Sequence, residues 1–159
     1  MSPRRPRREA GTAPSGGSRS VRTIDLKIPS DIREIERVVD LVRDECAKMK
    51  FGARQLMLNV PVALTEALSN AILRGNADDP RKHVTIHARI DPAALVVEVR
   101  DEGAGFDLDE CLVDPTTPER LDREEGRGLF LMQKLMDSVE RFAARPRGNV
   151  VRLTLRRAS

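Results

Sequence analysis

The sequence predicts an α/β (α+β) two-layer sandwich, a mostly antiparallel sheet covered on one face by helices. Three observations carry this reading. Short stretches alternate apolar and polar residues with a period of two, as half-buried strands do. Longer stretches repeat their apolar residues at helical spacing. The elements follow in the order β-α-α-β-β-loop-α-β-β, so most consecutive strands are joined by short turns that make antiparallel neighbours, and the helices are left to cover one face. The polar residues of the strands then belong to a second, uncovered face.

Val21–Ile28 alternates and reads as the first strand. Ser30 is placed to cap the helix that follows, which carries Ile32, Ile35, Val38, Val39, Val42, Cys46 and Met49 at helical spacing. Gly52 breaks it. A second helical pattern runs from about Arg54 to Arg74 and contains Pro61, which implies a kink or a late start with Pro61 in the first turn. Gly75-Asn76 and Asp78-Asp79-Pro80 end it. In the next strand Val84, Ile86, Ala88 and Ile90 share one face, with His83, Thr85, His87 and Arg89 on the other. Asp91-Pro92-Ala93-Ala94 makes the turn into the strand Leu95–Arg100. From Phe106 to Glu125 no period holds, and Pro115 and Pro118 punctuate an expected loop. A helix starts near Gly126-Arg127-Gly128 and carries Leu129, Met132, Leu135 and Met136. Val139–Ala144 and Val150–Arg156 close the chain as a strand pair.

The 159 residues suffice for one domain with a real core. Residues 1–20 are rich in Pro, Gly, Ser and Arg, which predicts a disordered, solvated tail ahead of a single domain over 21–159. The net charge of +3 divides unevenly: the tail holds five arginines and one glutamate, +4, leaving −1 for the rest. The basic character belongs to the tail and not to a folded surface, and with four Phe and no Trp or Tyr there is little to stack on bases. Both points argue against a nucleic-acid binder. No apolar run approaches the roughly 18 residues of a membrane span, and the N-terminus lacks the apolar stretch of a secretory signal. The expected location is the cytoplasm, without membrane contact. Cys46 and Cys111 have no metal-ligand spacing around them and are expected as reduced thiols, Cys46 packed on a helix and Cys111 in a loop.

Three motifs carry chemistry. In Glu66-Ala67-Leu68-Ser69-Asn70-Ala71 the carboxylate and the carboxamide are four apart and share one helix face. The amide oxygen is a neutral, hard ligand for Mg²⁺, and the carboxylate can accept a proton or orient a nucleophile. In Asp101-Glu102-Gly103-Ala104-Gly105, at a strand end, an ionised Asp can accept a hydrogen bond from adenine's exocyclic amine. Gly103 and Gly105 let the chain turn and approach a ligand closely. Gly126-Arg127-Gly128-Leu129 opens a helix, where backbone N–H groups freed of side-chain bulk form an anion site. No Gly-x-x-x-x-Gly-Lys-Ser/Thr, His-Arg-Asp or Asp-Phe-Gly occurs, which excludes a P-loop and the protein-kinase loops.

In this order, over residues 66–129, the motifs resemble the N box and the two glycine boxes of the Bergerat-fold (GHKL) ATPases, the family of gyrase B, MutL and histidine kinases. The chain carries neither the second domain of the coupled ATPases nor a phosphoacceptor-His helix pair. Over about residues 23–156 it is similar to the short anti-sigma factor kinases of the RsbW and SpoIIAB type, most closely in Leu64–Ile72. The resemblance implies an ATP-dependent serine/threonine protein kinase acting as an anti-sigma factor. It implies Glu66 as the catalytic carboxylate, Asn70 as the Mg²⁺ ligand, and Asp101 as the adenine-binding aspartate with Gly103 and Gly105 lining the pocket. It also implies Gly126, Arg127, Gly128 and Leu129 on the phosphate side, with residues 106–125 as the ATP lid. The implied partners are a sigma factor, a STAS-domain anti-anti-sigma factor as phosphoacceptor, and a second copy in a homodimer. Two positions depart from the pattern: Arg74 stands where His is common, and Gly148-Asn149 replaces a Gly-Thr pair whose Thr helps hold adenine. Asn149 is still able to hydrogen-bond there. The alternative these departures raise is a nucleotide-responsive anti-sigma module with little or no kinase activity.

Overall fold

The structure, a computed structural model, describes residues 20–103 and 124–158. The tail reading (Ser20 apart), Gly105, Cys111 and most of the expected loop fall outside the described residues. Among the described residues, the strands are β1 (Arg22–Pro29), β2 (His83–Ile90), β3 (Ala94–Arg100), β4 (Ser138–Ala143) and β5 (Asn149–Arg156). They form one sheet in the order β1-β2-β3-β5-β4, and every neighbouring pair is antiparallel. The helices are α1 (Ile35–Lys48), α2 (Val60–Asn70) and α3 (Glu124–Leu135). This is the α+β two-layer arrangement that the period-two strands and the element order predict.

The alternation in β2 shows why the sheet has one covered face. Val84, Ile86, Ala88 and Ile90 are all buried, while Thr85, His87 and Arg89 are exposed. Leu95, Val97 and Val99 of β3 and Leu153 and Leu155 of β5 continue the buried face, onto which α1 and α2 pack Val38, Val42, Leu64 and Leu68. Each such Leu, Ile or Val stabilises the fold by about 1.5–3 kcal/mol relative to exposure. On the open face a row of ionisable residues lies in register across all five strands: Asp25, His87, Glu98, Arg152 and Glu140. Arg152 bonds Glu98 at 2.7 Å and Glu140 at 3.2 Å, and His87 pairs with Asp25. Cross-strand neighbours of opposite charge suit a solvated sheet surface.

Three details differ from the sequence reading. Asp31, not Ser30, caps the first helical segment, its side chain accepting from Arg33 N at 2.9 Å. A 3₁₀ turn, Ile32–Glu34, precedes α1 and leaves Ile32 53% exposed instead of in the core. Ser30 is buried and serves the site region described below. The second difference concerns Pro61. The helix runs without a break from Gln55 to Gly75, with π-helical turns at Gln55–Asn59 and Ala71–Gly75 on either side of α2. Pro61 sits in the first turn of α2, where its missing N–H is tolerated. Pro61 lies two residues past the π-helical turn inside one continuous helix, so the helix neither breaks nor starts late at this proline. Thirdly, this 21-residue helix is long and apolar enough to meet the criteria for a membrane span. It is the central helix of the fold, with Val60, Ala63, Leu64, Ala67, Leu68 and Ile72 in the core.

Candidate functional site

The site is built where α2 meets two other segments. Glu66 and Asn70 lie in the body of α2, on a half-buried face opposite the core residues Leu64, Leu68 and Ile72. α3 crosses this face at Gly128. A Cβ there would lie 2.6 Å from Glu66 Oε1 and 3.5 Å from Asn70 Nδ2, so the helices approach this closely only because position 128 has no side chain. α3 is anchored at its far end by Asn59, whose Nδ2 donates to Leu135 O at 2.7 Å, and by Met132 and Leu129 in the core.

Among the described residues α3 runs from Glu124, so it already includes the glycine pair. Gly128 contributes closeness to α2, and Leu129 contributes a core side chain.

Asp101 is the second focus. It is 5% exposed and lies one residue past β3, beside the start of β5. The antiparallel register of β3 and β5 pairs Arg100 with Val150, which sets Asp101 next to Asn149. Asp101 N donates to Asn149 O at 2.9 Å. The carboxylate oxygen Oδ1 accepts from Gly103 N at 2.8 Å, Asn149 N at 3.0 Å and Asn149 Nδ2 at 3.1 Å. Oδ2 accepts from Asn149 Nδ2 at 3.2 Å. Asn149 Oδ1 is buried and has no hydrogen-bond partner among the described residues. Three glycines surround the group. A Cβ on Gly75 would strike the Asp101 carboxyl, one on Gly103 would strike the Gly75 carbonyl, and one on Gly148 would strike the Asp101 carbonyl. Gly148 also has φ +107, a conformation open to glycine and costly for other residues.

The last turn of the long helix thus packs against the Asp101 carboxylate, and one buried side chain holds it there. Asn76 donates from Nδ2 to His83 O at 2.9 Å and to Ser30 Oγ at 3.4 Å, and its Oδ1 accepts from Glu102 N at 2.7 Å. Glu102 returns a bond, its Oε1 accepting from His83 N at 2.9 Å. Ser30 Oγ donates to Ile72 O at 3.5 Å. The end of the helix, the start of β2 and the segment after β3 are tied into one unit. Sequence reasoning read Asn76 only as a helix stop.

Comparison with known protein families matches residues 28–155 to the Histidine kinase-like ATPase domain. The chain is 32% identical over 128 residues to the serine-protein kinase RsbW of Bacillus velezensis, covering 77% of this chain and 79% of that protein. It is 33% identical over 100 residues to the anti-sigma F factor of Bacillus cytotoxicus, covering 62% of this chain and 68% of that protein. The chain belongs to the anti-sigma factor kinase family of the histidine kinase-like ATPases. A crystal structure of the RsbU and RsbW domains of a Mycobacterium tuberculosis protein shares the fold. Its TM-score is 0.61 at 15% identity, over 87% of this chain and 33% of that one.

Within this family fold, the described candidates fall into two groups joined by the helix from Gln55 to Gly75. Glu66, Asn70 and Gly128 form one, and Asp101, Gly103 and Asn149 form the other. The fit to a nucleotide rests on features of the chain itself: glycines where a side chain would fill the space against Glu66 and against Asp101, and an unmet acceptor on Asn149. Arg74, at the departure from the family pattern, is exposed in the turn that leads to Gly75.

Proposed function

We propose that the chain is an ATP-dependent serine/threonine protein kinase that acts as an anti-sigma factor. In this reading it phosphorylates a STAS-domain anti-anti-sigma protein and binds a sigma factor, working as a homodimer in the cytoplasm. The observation that carries the proposal is the approach of Gly128 to the Glu66 carboxylate and the Asn70 amide, at 2.6 and 3.5 Å from an added Cβ. A carboxylate and an amide brought together against a glycine of α3 are what phosphoryl transfer to a hydroxyl needs from a protein. The reaction asks mainly for positioning and for offset of charge.

Glu66 would take the proton of the acceptor hydroxyl as its oxygen attacks the terminal phosphorus and ADP leaves. The N–H groups of Gly126 and Arg127 would face the phosphates, and Asp101 would accept a hydrogen bond from adenine. Asn70 would hold Mg²⁺ through its amide oxygen, and bound Mg²⁺ supplies neutralisation of phosphate charge. Among the described residues no cluster of three or more His, Cys, Asp or Glu could hold a metal ion. Gly105 and the lid reading of residues 106–125 remain part of the proposal from the family pattern.

The test is transfer of labelled phosphate from ATP to a purified STAS-domain partner, with the intact chain and Glu66→Ala. Transfer by the intact chain and its loss in the variant, with sigma-factor binding retained, is the expected result. No transfer by the intact chain, together with sigma binding that responds to ADP and ATP and ignores Glu66→Ala, would instead establish a binding module without kinase activity.

A further inference from the structure

We propose that Asn59 is a positioning residue for phosphoryl transfer, whose grip on the end of α3 fixes the register at which Gly128 meets Glu66. The inference rests on the reading of Glu66 as the proton acceptor. Asn59 stands seven residues from Glu66 and acts through α3, not on the reacting groups.

α3 meets the long helix at two places, in antiparallel order. Gly128 lies against Glu66 and Asn70, and Leu135 O lies 2.7 Å from Asn59 Nδ2. The two places are equally far apart on each helix, from 59 to 66 and from 128 to 135, about 10 Å of rise. Gly128 itself cannot hold a register. It has no side chain to catch, and the apolar contacts of Leu129, Met132 and Met136 with the core are non-directional. The bond at Asn59 is short and directional. Leu135 is the last residue of α3, and its carbonyl is among those that a helix leaves without an internal partner. Asn59 thus caps α3 from another helix. A slide of α3 by one residue's rise, about 1.5 Å, would carry the glycine gap off the Glu66 carboxylate.

The amide is kept at a cost that packing does not explain. Asn59 Oδ1 is buried and has no hydrogen-bond partner among the described residues. The flipped amide would set that oxygen against the Leu135 carbonyl, so the orientation is fixed. Asn59 also closes the π-helical turn Gln55–Asn59, a rare geometry that is frequent at functional sites. A leucine of nearly the same size would remove the unmet acceptor and add apolar contact. Stability alone therefore does not call for an amide at this position. The placing of α3 does.

The experiment compares the intact chain with Asn59→Leu, Gly128→Ala and the double variant. Asn59→Ala, which removes the amide without adding bulk, is a second test of the same bond. Single-turnover transfer of labelled phosphate to the STAS-domain partner is measured beside a thermal melt, an ATP titration and hydrogen exchange of the α3 amides. Asn59→Leu should melt within a few degrees of the intact chain, or above it, and bind ATP nearly as well. Its transfer should slow by about tenfold. Exchange over residues 128–135 should quicken by about tenfold, the scale of one lost hydrogen bond. Because both changes act where Gly128 meets Glu66, the double variant should be scarcely slower than Gly128→Ala. Transfer at the normal rate by Asn59→Leu and Asn59→Ala overturns the inference, whatever the exchange shows. Slow transfer with α3 exchange unchanged overturns it too, as do losses that multiply in the double variant. Slow transfer that comes only with a lowered melt and weakened ATP binding makes the side chain merely structural. No transfer by the intact chain removes the kinase reading and this role with it, a result distinct from transfer that the Asn59 variants leave untouched.

Discussion

Gly128→Ala adds a single methyl group where α3 crosses Glu66, and the structure says what it should do. Inside a helix the exchange is favourable by about 0.8–1 kcal/mol, since alanine gives up less backbone freedom. The new Cβ would stand 2.6 Å from Glu66 Oε1, about 0.8 Å short of the 3.4 Å where ordinary contact begins. The nearest atom is the end of a flexible, half-buried side chain, so the carboxylate swings aside at little cost to the fold. Asn70 Nδ2, at 3.5 Å, meets the methyl in ordinary contact and stays in place. Stability should therefore hold or rise slightly, and nucleotide affinity should change little. A proton acceptor displaced by nearly 1 Å costs on the order of a hundredfold in rate, so phosphoryl transfer should fall by about 10- to 100-fold. Single-turnover transfer, a thermal melt and ATP titration on the same preparation separate these effects. Transfer at the normal rate by a variant with an unchanged melt would refute the placement of Glu66 at the reacting hydroxyl.

The buried amide and the buried thiol give two further tests. Asn76→Ala removes the partners of Glu102 N–H and the His83 carbonyl, so denaturant titration should show a loss of about 2–4 kcal/mol. Asn76→Asp keeps an acceptor for Glu102 N–H and loses the donor to His83 O, and it too should weaken ATP binding by freeing Gly75 where it packs against the Asp101 carboxylate. Burial, with a smaller contribution from Glu45, pushes the Cys46 thiol from 9.0 up to about 12. In a Cys111→Ser background Cys46 should resist a thiol reagent at pH 8 until the protein unfolds. Because the folded state holds this proton more tightly than the unfolded chain, the stability it contributes is complete below pH 9.0 and is lost as pH rises from there toward 12. A urea midpoint that falls over this range, and falls less in Cys46→Ala, is the expected record.

What the sequence made legible is what local pattern controls. The period-two alternation of Val84–Ile90 and the helical spacing of Val38, Val42 and Cys46 found the buried face before any coordinates, since both follow from which side a residue points. Glu66 and Asn70 were legible for the same reason. What stayed hidden depends on pairings distant in sequence. Asn76 has bonding partners 7, 26 and 46 residues away, and Gly75-Asn76 reads locally as a helix stop. Asn149 meets Asp101 because β5 inserts between β3 and β4, an order that no stretch of residues announces. Ser30 and Asp31 are both good caps by type, and tertiary contacts decided between them: Asn76 and Ile72 engage Ser30, leaving Asp31 to cap.

In the proposed reading, the glycines would let one helix serve both ends of a nucleotide. Gly128 admits α3 to Glu66 and Asn70 in the body of α2, and Gly75 admits the Asp101 carboxyl at the last turn of the same helix. From residue 66 to residue 75 the helix advances about 13 Å, roughly the reach of a nucleoside triphosphate laid along it. In the proposed reading, base recognition and transfer chemistry would be referred to one helix but built from different partners. Changes at the Asp101 end should act on affinity and base choice and leave the rate at saturation near normal. Changes at the Gly128 end should act on the rate and leave base choice alone. A variant at either end that altered both in proportion would mean that the two groups are not fixed to a common helix, and that the length of that helix does not measure the nucleotide.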